Sequence, residues 1–165
     1  MSEEANNTTT STHTDETQPV FRLQRIYIKD ISFENPNAPE IFQDAGKQPK
    51  VEMRLDLSQR KVDHNHWEVS LKIGATTQVK ESGKLLFEIE VEQAGVFTMQ
   101  NIPEEHLAMV LEVECPTIIF PYIRQTVSQL SVDGGYLPFI LEPVNFRALF
   151  EAKLQKAAKY QKTMQ

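Results

Sequence analysis

The residues whose types and spacing could do chemistry here are two histidines, one cysteine and two runs of acids. His64 and His66 flank Asn65 just after Asp63, and an HxH pair on a strand places both imidazoles on one face. Structural metal sites need about four nitrogen or sulfur ligands, and the neighbouring sequence supplies no others. The turn-forming polar residues of an exposed hairpin tip account for the same four positions. Cys115 would act as a nucleophile only with its pKa lowered by a histidine or a helix N-terminus. The spacing to His106 does not decide that, and a buried, inert thiol is the simpler reading. Glu88, Glu90 and Glu92 put three carboxylates on one strand face, and Asp30 and Glu34 put two on one face around Ser32 if that segment is extended. For acid–base catalysis one of them would need a raised pKa in a dry pocket, which an exposed strand does not offer. For attracting a basic partner they need only be exposed.

Other catalytic signatures are absent. Gly46-Lys47 and Gly83-Lys84 lack the glycine-rich lead of a phosphate loop, and the chain has no GxGxxG or GxSxG motif. No cofactor and no metal are expected. What stands out instead is two blocks, CPTIIFPYIR (115–124) and LEPVNFRALF (141–150), which set prolines against dense apolar and aromatic residues. Such residues supply shape and apolar surface, the equipment of a protein that binds rather than converts. The rings on proline-bounded loops, Phe42 and Phe139, are groove candidates, joined by Phe97 and Tyr122.

The elements that must position these residues follow from periodicity. Val51, Met53, Leu55 and Leu57 alternate with charged residues, and Trp67, Val69, Leu71 and Ile73 do the same. Leu85, Phe87, Ile89 and Val91 make a third such run. Alternation of this kind predicts strands with one face buried and one wet. Phe21–Glu34 is also strand-like, but its apolar phase slips, as at bulges. Short polar connections make hairpins the economical linkage, giving four antiparallel strands. After Gly95 the spacing turns helical: one helix from Pro103 to Pro116, another from Pro121 to Asp133, and a last one carrying Phe146, Leu149, Phe150 and Leu154. The fold class is α+β, a four-stranded antiparallel sheet with C-terminal helices packed on one face. Residues 1–19 are polar and predicted disordered, residues 20–152 form the domain, and 153–165 are a lysine-rich tail or helix extension.

The chain has 165 residues and a formal net charge of -6, a sign that disfavours nucleic acid as a partner. A single cysteine suits a reducing cytoplasm. No apolar run reaches the ~20 residues of a membrane span, and the N-terminus does not read as a signal peptide. A cytoplasmic protein without direct membrane insertion is expected.

RIYIKDISFENPNAP (25–39), EVEQAGVF (90–97) and the two proline–aromatic blocks, in this order, resemble the SecB family of bacterial export chaperones. The resemblance runs from about Phe21 to Phe150. It implies a homotetramer, a dimer of dimers, that binds unfolded preproteins without ATP, keeps them translocation-competent and delivers them to the motor ATPase SecA. It also implies that Asp30, Glu34 and Glu90 form the SecA-binding face. Two departures are visible: Glu88 stands where relatives often carry an apolar residue, and FQDAGKQP stands where they often carry a tryptophan. A chaperone dedicated to a toxin–antitoxin partner, a small Cys-dependent hydrolase and a strand-edge scaffold are the competing readings.

Overall fold

The structure is a computed structural model and describes residues 16–44 and 46–165. Four strands, β1 (Val20–Glu34), β2 (Pro49–Lys61), β3 (His66–Val79) and β4 (Leu85–Gln100), form one antiparallel sheet in the order β1-β4-β3-β2. β2, β3 and β4 are joined by tight turns. In the first, Val62 donates its N–H to His66 O and Asp63 Oδ1 accepts from Asn65 N at 2.9 Å. In the second, Gly83 takes a positive φ of 72°, which glycine adopts without strain. β1 reaches its place beside β4 by a long crossover that includes a 3-10 turn, Glu40–Asp44. The phase slips expected in β1 are register shifts against β4, between Leu23 and Arg25 and between Ile28 and Asp30.

Helices cover one face of the sheet, as an α+β layering requires. The helical layout differs from the expectation of two helices broken at Pro116 and Pro121. α1 (Glu104–Met109), a π turn (Val110–Glu114) and α2 (Cys115–Asp133) run on as a single helix, Glu104–Asp133. Pro116 lacks an N–H, and in a regular α-helix its ring would crowd the carbonyl four residues back. The wider π turn just ahead of it relieves that crowding. Thr117 Oγ1 also donates to Val113 O at 2.6 Å. Burial then outweighs the local penalty, because Cys115, Ile119, Ile123 and Val127, one turn apart, all lie against the sheet. By length and composition this helix could also cross a membrane, contrary to the expectation that no segment could; here its apolar row covers β3 and β4.

α3 (Phe146–Thr163) begins at Asn145, whose side-chain oxygen accepts from Ala148 N at 3.0 Å. It continues through the lysine-rich segment, which is helical as far as Thr163. Only its first turns are packed; from Glu151 onward every residue is exposed. Of the expected N-terminal tail, residues 1–15 lie outside the described residues. Residues 16–19 lie near the end of β4, where Asn101 Nδ2 donates to Glu16 O and Gln18 O.

The core lies between the helices and β3–β4: Val69, Leu71, Ile73, Ile89, Val91 and Phe97 meet Ile119, Ile123 and Val127. The alternation in β2 overstates its burial. Leu55 and Leu57 are half-buried under the helices, while Val51 and Met53 are 38% and 49% exposed on an edge strand that the helices do not cover. The opposite sheet face is not uniformly wet either. Glu68 and Ser70, expected to face solvent, are buried at 6% and 4% exposure.

Candidate functional site

At one end of the helix-covered face, five rings converge. Phe87 on β4 lies 4.8 Å from Tyr136, 5.8 Å from Phe33 and 6.2 Å from Phe139, and Phe42 of the crossover lies 5.4 Å from Tyr136. Hydrogen bonds set this cluster's geometry. The Tyr136 hydroxyl sits 2.7 Å from Asn35 Oδ1 and 2.8 Å from Leu86 O, and Asn35 Nδ2 donates to Gly134 O. Burial raises the Tyr136 pKa, so its hydroxyl stays a donor. Buried Ser131 donates to Ser128 O and accepts from Phe139 N at 2.8 Å, which holds the return loop on α2. Around the rings the surface stays apolar: Phe42 is 40% exposed, Ile140 53% and Leu137 87%. Exposed apolar patches of this kind mark interaction sites.

Phe42 and Phe139, named from sequence, are thus in one cluster. Phe33, Phe87 and Tyr136 belong to it as well, and sequence reasoning did not single them out. Phe97 and Tyr122 lie elsewhere. Phe97 is wholly buried and stacks on Phe21 at 5.6 Å with the rings nearly parallel, so it contributes no exposed surface to the protomer. Tyr122 is half exposed on α2, its carbonyl 3.1 Å from Thr126 Oγ1.

The acids occupy the helix-free face. Register pairs Asp30 with Glu92, Ser32 with Glu90, and Glu34 with Glu88. Two directly opposed like-charged pairs cost stability, so this arrangement is not one that folding alone would favour. Asp30 and Glu34 are exposed and make no ion pair among the described residues. Glu92 Oε1 accepts from Ser70 Oγ at 2.7 Å. Glu90 is ion-paired with Lys72 at 2.8 Å, and the hydrogen bond from Lys72 lowers its pKa.

Further along the same face, Glu68 forms a second ionic centre. Its carboxylate accepts from Tyr27 Oη, from Lys29 Nζ at 3.0 Å and from Arg60 Nε at 3.0 Å. Burial alone would raise its pKa, yet these donors outweigh burial and pull it down to about 2. Tyr27 is pushed up to about 12, by burial first and by the Glu68 hydrogen bond second. One carboxylate therefore links β3 to β2 and, across β4, to β1.

Residues weighed for catalysis are not assembled. Cys115 is wholly buried, and burial raises its thiol pKa, reinforced by Glu114, which is the opposite of an activated nucleophile. His66 Nδ1 pairs with Asp63 at 2.8 Å within the hairpin turn. Among the described residues no group of three or more His, Cys, Asp or Glu is placed to hold a metal ion.

A one-sided sheet, an apolar ring cluster and an acidic opposite face define a protein that works by binding other chains. The chain belongs to the SecB family: the family model described as preprotein translocase subunit SecB matches residues 14–157. A Desulfotalea psychrophila protein named protein-export protein SecB is 57% identical over 139 residues, covering 84% of this chain and 89% of that protein. A Magnetococcus marinus protein of the same name is 46% identical over 141 residues, covering 85% and 88%. Among solved structures, a Mycobacterium tuberculosis SecB-like chaperone in complex with an antitoxin peptide aligns at a TM-score of 0.59 and 17% identity. That alignment covers 75% of this chain and 90% of that one, and shows a shared fold. This is a chaperone family, not an enzyme family.

Proposed function

We propose that the protein is an ATP-independent chaperone of the Sec export pathway. It binds unfolded preproteins in the cytosol, keeps them translocation-competent and passes them to the motor ATPase SecA. The observation that carries this reading is the exposed apolar rim of Phe42, Leu137 and Ile140 around a packed ring cluster. Such a surface accepts extended apolar segments of many sequences. Affinity then comes from area removed from water, at roughly 25 cal/mol per Å².

The protomers assemble as a dimer of dimers, and β1 supports the pairing within each dimer. It is an edge strand fifteen residues long, with Ile28 and Ile31 47% and 44% exposed. A long apolar edge left open invites pairing with another chain, and a second copy closes it. Several weak client sites on one assembly then multiply through effective concentration. The acids of the helix-free face, with Asp30, Glu34 and Glu90 at its centre, form the docking surface for SecA. Client and motor therefore meet opposite faces of one sheet.

The test is refolding of a denatured secretory precursor, diluted with and without the protein in nucleotide-free buffer. Arrest at about one tetramer per client is expected. Unchanged refolding would overturn the chaperone reading.

A further inference from the structure

Glu90 differs from its neighbours on the acidic face because it is already occupied. It lies in a depression of about 100 Å³ lined by Arg54, Asp56, Lys72, Gly74 and Glu90 itself. Lys72 reaches it from β3 at 2.8 Å. Arg54 reaches toward it from β2, two strands away, and Gly74 is what makes that possible. Gly74 is the register partner of both Arg54 and Glu90, and a Cβ there would lie 3.1 Å from the Arg54 guanidinium. The guanidinium therefore lies over bare backbone. Asp30 and Glu34, on β1 beyond β4, form no ion pair among the described residues; Lys72 acts on Asp30 only through its charge at longer range.

We propose that Lys72 and Arg54 tune the specificity of the docking face, holding Glu90 in an internal pairing that the partner's own cation must displace. The proposal rests on the reading of this face as the SecA-docking surface. A basic segment first meets the exposed, unpaired carboxylates of Asp30 and Glu34, which steer the encounter. Glu90 becomes available only to a partner that brings a lysine or arginine to the depression as Lys72 leaves. Partners that lack a cation at that place gain nothing from Glu90, and this excludes loosely basic competitors. Because the pair is partly exposed, its release costs little, and the expected gain from removing it is small but measurable.

The experiment is calorimetric titration of the full-length protein with purified SecA, using wild type, K72Q, K72R, E90Q, K72Q/E90Q and the double variant D30N/E34Q. K72Q should bind about two- to fivefold more tightly, the range expected for losing one partly exposed ion pair. K72R, which keeps a cation at the position, should bind like wild type. The gain should vanish in K72Q/E90Q. K72Q binding no more tightly than wild type, while E90Q and D30N/E34Q bind more weakly, would overturn the proposal and leave the docking face standing. Undiminished binding by both E90Q and D30N/E34Q would overturn the docking face and this proposal with it.

Discussion

The Phe33 ring occupies the space that a side chain at Gly134 would need: a Cβ there would lie 2.1 Å from Phe33 Cζ and 2.6 Å from Cε1. The end of α2 thus rests directly on a ring of β1. Gly135 next to it takes a φ of 93° and faces the Phe42 ring in the same way. Substitution G134A should destabilise the protein by about 1–3 kcal/mol through overpacking. Urea denaturation measures this, and shrinking the ring in G134A/F33L should recover part of the loss.

Phe42 is the exposed member of the ring cluster and Phe139 the better covered one. F42S should weaken arrest of client refolding and leave stability within about 1 kcal/mol of wild type. F139S should lower both, with a stability cost of about 2 kcal/mol from lost apolar burial. Equal client arrest by F42S and wild type, with both fully folded by circular dichroism, would remove this rim from the client surface.

Charge reversal on the opposite face should separate the two partners. In D30K/E34K/E90K, SecA affinity should fall by roughly tenfold or more, while client arrest stays at the wild-type level. Raising the salt concentration should weaken wild-type binding to SecA and change the variant less. Undiminished SecA affinity in the triple variant would refute the assignment.

Glu68 predicts a particular pH dependence. Its folded pKa, about 2, lies below the ordinary 4.5, so its contribution is present above about pH 4.5 and lost as pH falls toward 2. Tyr27 is raised from 10 to about 12, so its share is present below pH 10 and lost as pH rises through 12. Wild type should melt above E68Q at pH 6, and the difference should shrink below about pH 4. A difference that persists unchanged to pH 3 would show that the carboxylate charge is not what joins these strands.

The strands were legible in the sequence because a buried face imposes period two on side chains, and Trp67 to Ile73 and Phe87 to Val91 keep that period without a break. The phase slips in β1 were legible for the same reason. The helix was not: Pro116 and Pro121 read as breaks, because local rules do not contain the burial of Cys115, Ile119 and Ile123 that outweighs them. The acids were visible as two separate ladders. Their meeting depends on β1 pairing with β4 rather than β2, a choice made by tertiary packing and carried by no local motif. Glu68 looked like any outward-facing strand residue: Arg60 stands opposite it in the β2–β3 hairpin, but Tyr27 and Lys29 come to it from β1, about forty residues away in sequence. Phe42 and Phe139 could be named from their proline-bounded loops. Tyr136 was passed over because its hydroxyl finds its partners, Asn35 and Leu86, only in the folded chain.

The chain has one cysteine, and Cys115 is sealed between α2 and the sheet. To thiol reagents in solution the folded protein is therefore blank. A cysteine introduced at the highly exposed Leu137 would be the only one open to a maleimide dye, so a single fluorophore could report client arrival beside the rings. The native thiol serves a different purpose: it reacts only when α2 lifts from the strands, which gives the unmodified protein a built-in clock for its own opening.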